Sequence, residues 1–162
     1  MPPAESPTLP ERKEITFFVS YAHRDNRLVH ALVDELQVLW GSSKRYTIKL
    51  WADWELCLGE SWKEEIFRAI EACDFGLLML SPAFLNSSFI VEQELPKLER
   101  VLPVALKAID LSRQNLHGLE DKQIFFHRSA RKNQIAYRDA DREGFAMALY
   151  QQIEARLGRI YG

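Results

Sequence analysis

The chain holds 162 residues, 47% of them hydrophobic and 27% charged, and 23 acidic against 21 basic side chains leave a formal charge of −2. Those proportions describe a single globular domain long enough to bury a two-sided core. They exclude the clustered excess of base that nucleic-acid binding requires, and no apolar segment approaches the roughly 20 residues of a bilayer span.

The opening MPPAESPTLP carries an acid and prolines where a signal peptide has base and an apolar core. Residues 1–13 are therefore expected to be a disordered lead-in and residues 14–162 the domain. Ile15 to Tyr21, ITFFVSY, is β-branched and aromatic and reads as a central strand. Asp25 or Asn26 offers a helix cap, after which Leu28, Val29, Leu32, Val33, Leu36, Leu39 and Trp40 recur at helical intervals up to Gly41. Tyr46 to Trp51 reads as the second strand, joined to the first by a right-handed parallel crossover.

Residues 52–60 form a loop containing Trp54, Leu56, Leu58 and Gly59. Ser61 with Glu64 makes a capping box for a helix to about Ala72, turning Trp62, Ile66, Ala69 and Ile70 inward. Phe75 to Leu80 is an unbroken apolar run, the pattern of a strand covered on both faces, and Ser81-Pro82 stops it. Ser87 or Ser88 caps the next helix, Phe89 to Val101, in which Pro96 marks a kink or an end. A fourth strand is expected over Val104 to Ile109 and a fifth over Ile124 to His127, with an irregular connection and one short helical turn between them. A closing helix spans Asp139 to Leu157. Strands alternating with helices predict a flavodoxin-like three-layer α/β sandwich, its five-stranded parallel sheet ordered 2-1-3-4-5 with helices on both faces.

Cys57 and Cys73 sit in no CxxC or Cys/His spacing, which argues for free thiols in a reducing cytoplasm and against a disulfide framework or metal site. Neither GxGxxG nor GxxxxGK occurs, so the usual phosphate-cradling loops are missing. A phosphoacceptor receiver domain needs acids at the ends of the first and third strands, where this chain has Ser20-Tyr21 and Ser81. Taken singly, His23 reads as a surface histidine, the cysteines as packing residues, and Trp51, Trp54 and Trp62 as core or loop anchors. Glu92 and Glu94 are different in kind. Ligands of open α/β sheets sit beyond the carboxyl ends of the strands, and this segment delivers two carboxylates one loop beyond the central strand.

Four signals recur in a fixed order: Phe18 to Asp25 (FVSYAHRD), Leu58 to Trp62 (LGESW), Leu80 to Leu85 (LSPAFL) and Phe89 to Leu95 (FIVEQEL). Together they resemble the Toll/interleukin receptor (TIR) domain family in its bacterial branch, over about Ile15 to Leu157. The resemblance implies that residues 52–60 are the family's BB loop, used in TIR–TIR contacts, with Leu56, Leu58 and Gly59 serving assembly. Many bacterial members cleave NAD+ at the nicotinamide glycosidic bond or cyclise the ADP-ribose product, using NAD+ as substrate and no separate cofactor or metal. Their required glutamate precedes a leucine on the helix after the third strand, which carries the catalytic role to Glu94, read as a cleft or helix-surface acid. Phe89 precedes Glu94 by five residues where the family's commonest spacing is four, and Glu92 stands as the alternative.

The chemistry is consistent with one carboxylate. Nicotinamide is already a good leaving group in NAD+, so the site must chiefly stabilise an oxocarbenium-like ribosyl centre. The resemblance further implies substrate contacts from Ser20, Tyr21, His23, Arg24, Trp54 and Phe89. It implies partnership with other TIR domains in a homo-oligomer or filament, a sensor in a longer parent chain, and a role in bacterial anti-phage defence. A non-catalytic interaction module acting through the BB loop is the alternative.

Overall fold

The β-branched and aromatic runs that begin the chain's first crossover form its first two strands, as the pattern predicts. In the computed structural model, which describes residues 11–52, 62–128, 134–135 and 141–162, β1 is Lys13–Ser20, β2 Tyr46–Trp51, β3 Phe75–Leu80 and β4 Val101–Ala105. They make one parallel sheet in the order β2-β1-β3-β4. All six residues of β3 are buried, which is why its sequence is apolar without alternation. The helices are α1, Asn26–Gly41; α2, Trp62–Ala72; the short α3, Pro82–Leu85; and α4, Arg142–Tyr161.

Alternation along the strands divides the core into two layers. Ile15, Phe17, Val19, Leu77, Met79 and Val104 pack with α1 and α4. On the other face Phe18, Leu78 and Leu80 meet Ile66 and Ile70 of α2, Phe84 of α3 and Ile90 beyond it. Helices thus cover both faces of the sheet, as expected.

The fifth strand is a correction. Among the described residues the main sheet has four strands, and the segment expected to extend it makes one parallel bridge, Phe125 to Val104. Two hydrogen bonds hold it, Phe125 N–H to the Pro103 carbonyl at 2.9 Å and Ala105 N–H to the Phe125 carbonyl at 2.9 Å. Extension fails on both sides for want of donors. The next donor position towards the strand start is Pro103, which has no N–H, and towards the strand end Lys107 N–H turns back to Leu80 O at 3.2 Å. His127–Arg128 (β5) pairs instead with Gln134–Ile135 (β6) in a separate antiparallel ribbon.

Two other expectations shift. β4 begins at Val101, three residues before the expected Val104, because the donorless side of Pro103 faces away from β3 and leaves that ladder intact, and it ends at Ala105, four residues before the expected Ile109, where the Leu106 and Lys107 N–H groups both turn to the Leu80 carbonyl. The helix expected to run from Phe89 to Val101 ends at Lys97, for reasons that concern the site. Ser61, the proposed cap of α2, and Asp139, the expected start of the closing helix, lie outside the described residues.

Candidate functional site

The strand order reverses between β1 and β3, since the chain leaves β1 for β2 on one side and reaches β3 on the other. Side chains from the loops after β1 and β3 therefore converge at the carboxyl edge, where open α/β sheets hold their ligands. Five polar side chains are buried among the described residues, and four of them, Ser20, Asp25, Ser81 and Glu94, come from the segments around this reversal.

Ser81 is extended and caps α3, its Oγ accepting the Phe84 N–H at 3.0 Å, with Pro82 supplying the preset φ of a first helical turn. After Asn86 a second helical segment starts with Ser87 as its cap; Ser87 Oγ accepts the Ile90 N–H at 3.3 Å. Then the helix widens. Ile90–Glu94 is a π-helical turn closed by the Leu95 N–H on the Ile90 carbonyl, followed by a 3-10 turn, Leu95–Lys97. Pro96 accounts for the change: in an α-helix it would owe a hydrogen bond to the Glu92 carbonyl, which it cannot donate, and its ring would strike that carbonyl. Leu98 anchors the end of the segment on β3, where a Cβ at Gly76 would lie 2.8 Å from Leu98 Cδ1.

The π turn directs Glu94 inward and leaves Glu92 exposed. Glu94 is only 5% exposed, and the Ser20 hydroxyl donates to its Oε2 at 2.7 Å. This corrects the reading of Glu94 as a cleft or helix-surface acid: the carboxylate belongs to the buried layer at the end of β1.

A second network lies beside the first. Asp25, expected to cap α1, makes no side-chain cap bond there. Its carboxylate instead receives the Ser81 hydroxyl on Oδ2 at 2.5 Å and the Lys107 ammonium on Oδ1 at 2.6 Å. Asp25 has 0% side-chain exposure and Lys107 39%. The loops after β1, β3 and β4 are thereby fastened by one buried acid. Sequence reasoning missed this set because Ser81 looked like a strand stop and Lys107 like part of a strand. The signal that was present is an Asp, a Ser and a Lys, each just past a strand's carboxyl end.

The other candidates are distributed. Tyr21 is buried with the α1 and α4 layer, its ring 5.9 Å from His23 in an edge contact. His23 and Arg24 are exposed on the 3-10 turn His23–Asp25. Phe89 is half-buried and its ring packs 5.2 Å from that of Trp62 at the start of α2. Trp54, Leu56, Leu58, Gly59 and Cys57 lie outside the described residues. Cys73 is half-buried, its thiol donating to Ile70 O at 3.0 Å, and burial pushes its pKa up, away from nucleophilic use. Among the described residues no group of three or more His, Cys, Asp and Glu is arranged to hold a metal ion, and no helix is long and apolar enough to cross a membrane.

No curated protein matches the chain. A family model described as TIR domain matches residues 17–138, a span that takes in the second half of β1, all of β2 to β4, both buried networks and the π turn. The parallel α/β sheet with its helices on both faces agrees with that match, and the chain belongs to the TIR domain family.

Proposed function

We propose that this domain cleaves the nicotinamide glycosidic bond of NAD+, with Glu94 as the catalytic carboxylate. The C1′–N bond breaks with its electron pair going to the ring, so nicotinamide leaves neutral. Water then adds to C1′ and loses a proton to give ADP-ribose, or a nucleophile within the ADP-ribosyl group closes a cyclic product. Glu94 stabilises the positive ribosyl centre between these events, and Ser20 fixes the plane of the carboxylate. Phe89, with Trp54 from the loop, offers an aromatic face to the substrate, while Tyr21, His23 and Arg24 serve the ribose and phosphate side.

The observation that carries this reading is the buried Ser20–Glu94 hydrogen bond at the switch point of the sheet, with Glu92 turned to solvent. Family membership supports it, since NAD+-cleaving domains occur among TIR domains. Burial of Glu94 also gives a reason for activation by assembly. A substrate reaches a carboxylate that is 5% exposed only when the surrounding segments part, and packing of TIR domains on one another would supply that rearrangement, with Leu56, Leu58 and Gly59 at the contact. In this reading the domain is a cytoplasmic effector of bacterial anti-phage defence, governed by a sensor in a longer parent chain.

Nicotinamide release is the test, measured with the domain dilute and with the domain clustered on beads. Clustered wild type should cleave NAD+ at a rate per domain well above the dilute one, and Glu94→Gln should not. A dead Glu92→Ala beside an active Glu94→Gln would transfer the role to Glu92. A clustered wild type that releases no nicotinamide would leave the domain as a non-catalytic interaction module.

A further inference from the structure

Among the described residues the main sheet stops at β4, and only the bridge at Phe125 reaches beyond it. α4 nevertheless packs over this end of the sheet through Phe145, Leu149 and Ile153. A groove of about 570 Å³ is left between the outer side of β4, residues 123–127 and one side of α4. It shares no residue with the two buried networks or with the proposed substrate contacts, and it lies at the sheet edge opposite β2, away from the switch point. We propose that this groove binds a long-chain aliphatic carboxylate, with Arg156 and Arg159 meeting the carboxylate.

The base of the groove is hydrocarbon. Leu102, Val104, Leu149 and Ile153 are buried along it, while Ile124 and Phe125 are only half-buried, so apolar surface faces the opening. Such surface gains from covering by an apolar chain.

The charge is gathered at one end. Arg156 and Arg159 are the last two lining residues along α4, and no aspartate or glutamate lines the groove. Three residues apart, they share a helix face, where like charges repel. Neither has an ion pair among the described residues. An anion between them therefore relieves a repulsion and accepts charge-assisted hydrogen bonds from two forks of N–H donors. His127, the third basic side chain on the groove, is engaged by Asp141 and is not part of this pair.

Length selects the ligand. From Ala148 to Arg159 the lining stretch of α4 covers about 16 Å at the helical rise per residue. An extended dodecyl chain is of that order, so one molecule can lie on the apolar part and still bring its head to the arginines. A short carboxylate reaches one or the other. The volume falls within the range of small-molecule sites.

Isothermal titration calorimetry on the intact chain tests this without reference to NAD+, with each amphiphile below its micellar concentration. The probes are dodecanoate, hexanoate and dodecylammonium. Dodecanoate should bind one to one. Hexanoate should be weaker by about a hundredfold or more, because half of the buried hydrocarbon is lost. Dodecylammonium should be weaker by about tenfold or more, because its charge meets two arginines. Arg156→Gln combined with Arg159→Gln should weaken dodecanoate by about tenfold or more. Ala155→Trp, at an exposed lining position, should abolish binding by filling the groove, with circular dichroism confirming that both variants fold. The proposal is overturned if dodecanoate gives no saturable isotherm at millimolar concentration, if dodecylammonium binds as tightly, or if either folded variant binds dodecanoate as the parent does. Binding to anionic vesicles without binding to monomeric dodecanoate would overturn it in favour of a membrane-facing helix. Dimers that Ala155→Trp abolishes, with no dodecanoate isotherm, would overturn it in favour of a second copy of the chain.

Discussion

Asp25 and Glu94 are the two buried carboxylates among the described residues, and each is met by a serine at the end of a central strand. Asp25 also holds the Lys107 ammonium, so its charge is balanced on the spot and it ties three loops together. Glu94 sits on a π turn, the less regular support, with its Oε2 on the Ser20 hydroxyl. The difference separates two uses of a buried acid. A charge met by a cation and a hydroxyl ties loops together, whereas the proposed role of Glu94 is to meet the positive charge that develops on a substrate.

Substitutions that treat the two acids alike should expose that difference. Lys107→Ala should have the largest effect on folding, about 3 kcal/mol in chemical denaturation, because it leaves Asp25 buried without its cation; the partial exposure of Lys107 keeps the loss at the lower end for such pairs. The double change Asp25→Asn with Lys107→Met should recover much of it, since removing both charges avoids the stranded one. A double variant as unstable as Lys107→Ala alone would show that charge balance is not what Asp25 provides.

Glu94→Gln should behave in the opposite way. Nicotinamide release should fall on the order of a hundredfold or more, as removal of one preorganised electrostatic group does, while the amide keeps an acceptor for Ser20 and folding changes by about 1 kcal/mol or less. Melting curves and release assays on one preparation decide it, and a variant that loses folding and activity in proportion would merge the two acids into one class.

The serines give a smaller contrast. Ser81→Ala removes a helix cap and a donor to Asp25 together, about 2 kcal/mol of stability, whereas Ser20→Ala removes one donor, about 1 kcal/mol. Only Ser20→Ala should lower NAD+ cleavage per folded domain. Equal denaturation midpoints for the two would count against the comparison.

Asp110 supplies the smallest effect and an exposed control. The Ser112 hydroxyl first, then Arg113, holds its carboxyl below the ordinary value of 3.8. The folded pKa is depressed, so the stabilisation is present above the unfolded value and disappears as pH falls through the folded one. Acidification below about pH 4 should therefore loosen the turn at residues 110–113. Amide NMR shifts there that change at the same pH as those of a short peptide of the same sequence would contradict it.

Local pattern located α1, α2, β2 and β3: helical spacing in α1, a capping box and helical spacing in α2, and a β-branched or unbroken apolar run in the two strands. The start of the fourth strand was placed three residues late because a proline in a strand is read as a break, and which side its missing donor faces is not written locally. The fifth strand failed for a related reason: Ile124 to His127 has the composition of a strand, but its pairing is decided by Pro103 and Lys107 on another segment. Glu94 was found through ordered motifs, yet its burial was not, since it follows from a contact 74 residues away in sequence. The Asp25–Ser81 bond spans 56 residues, and nothing in either neighbourhood marks its partner.

The π turn resolves an arithmetical oddity in the sequence. Closing a ring from residue i to i+5 instead of i+4 is equivalent to an α-helix that has absorbed one residue. Positions five apart along such a turn then lie nearly above one another, as positions four apart do in an α-helix. Phe89 stands five residues before Glu94, and Ile90–Glu94 is the π-helical stretch between them. The aromatic and the acid therefore keep, across an inserted residue, the angular relation that a four-residue spacing has on a regular helix. Counted in residues the chain departs from its family's commonest pattern; counted in degrees about the helix axis, it does not.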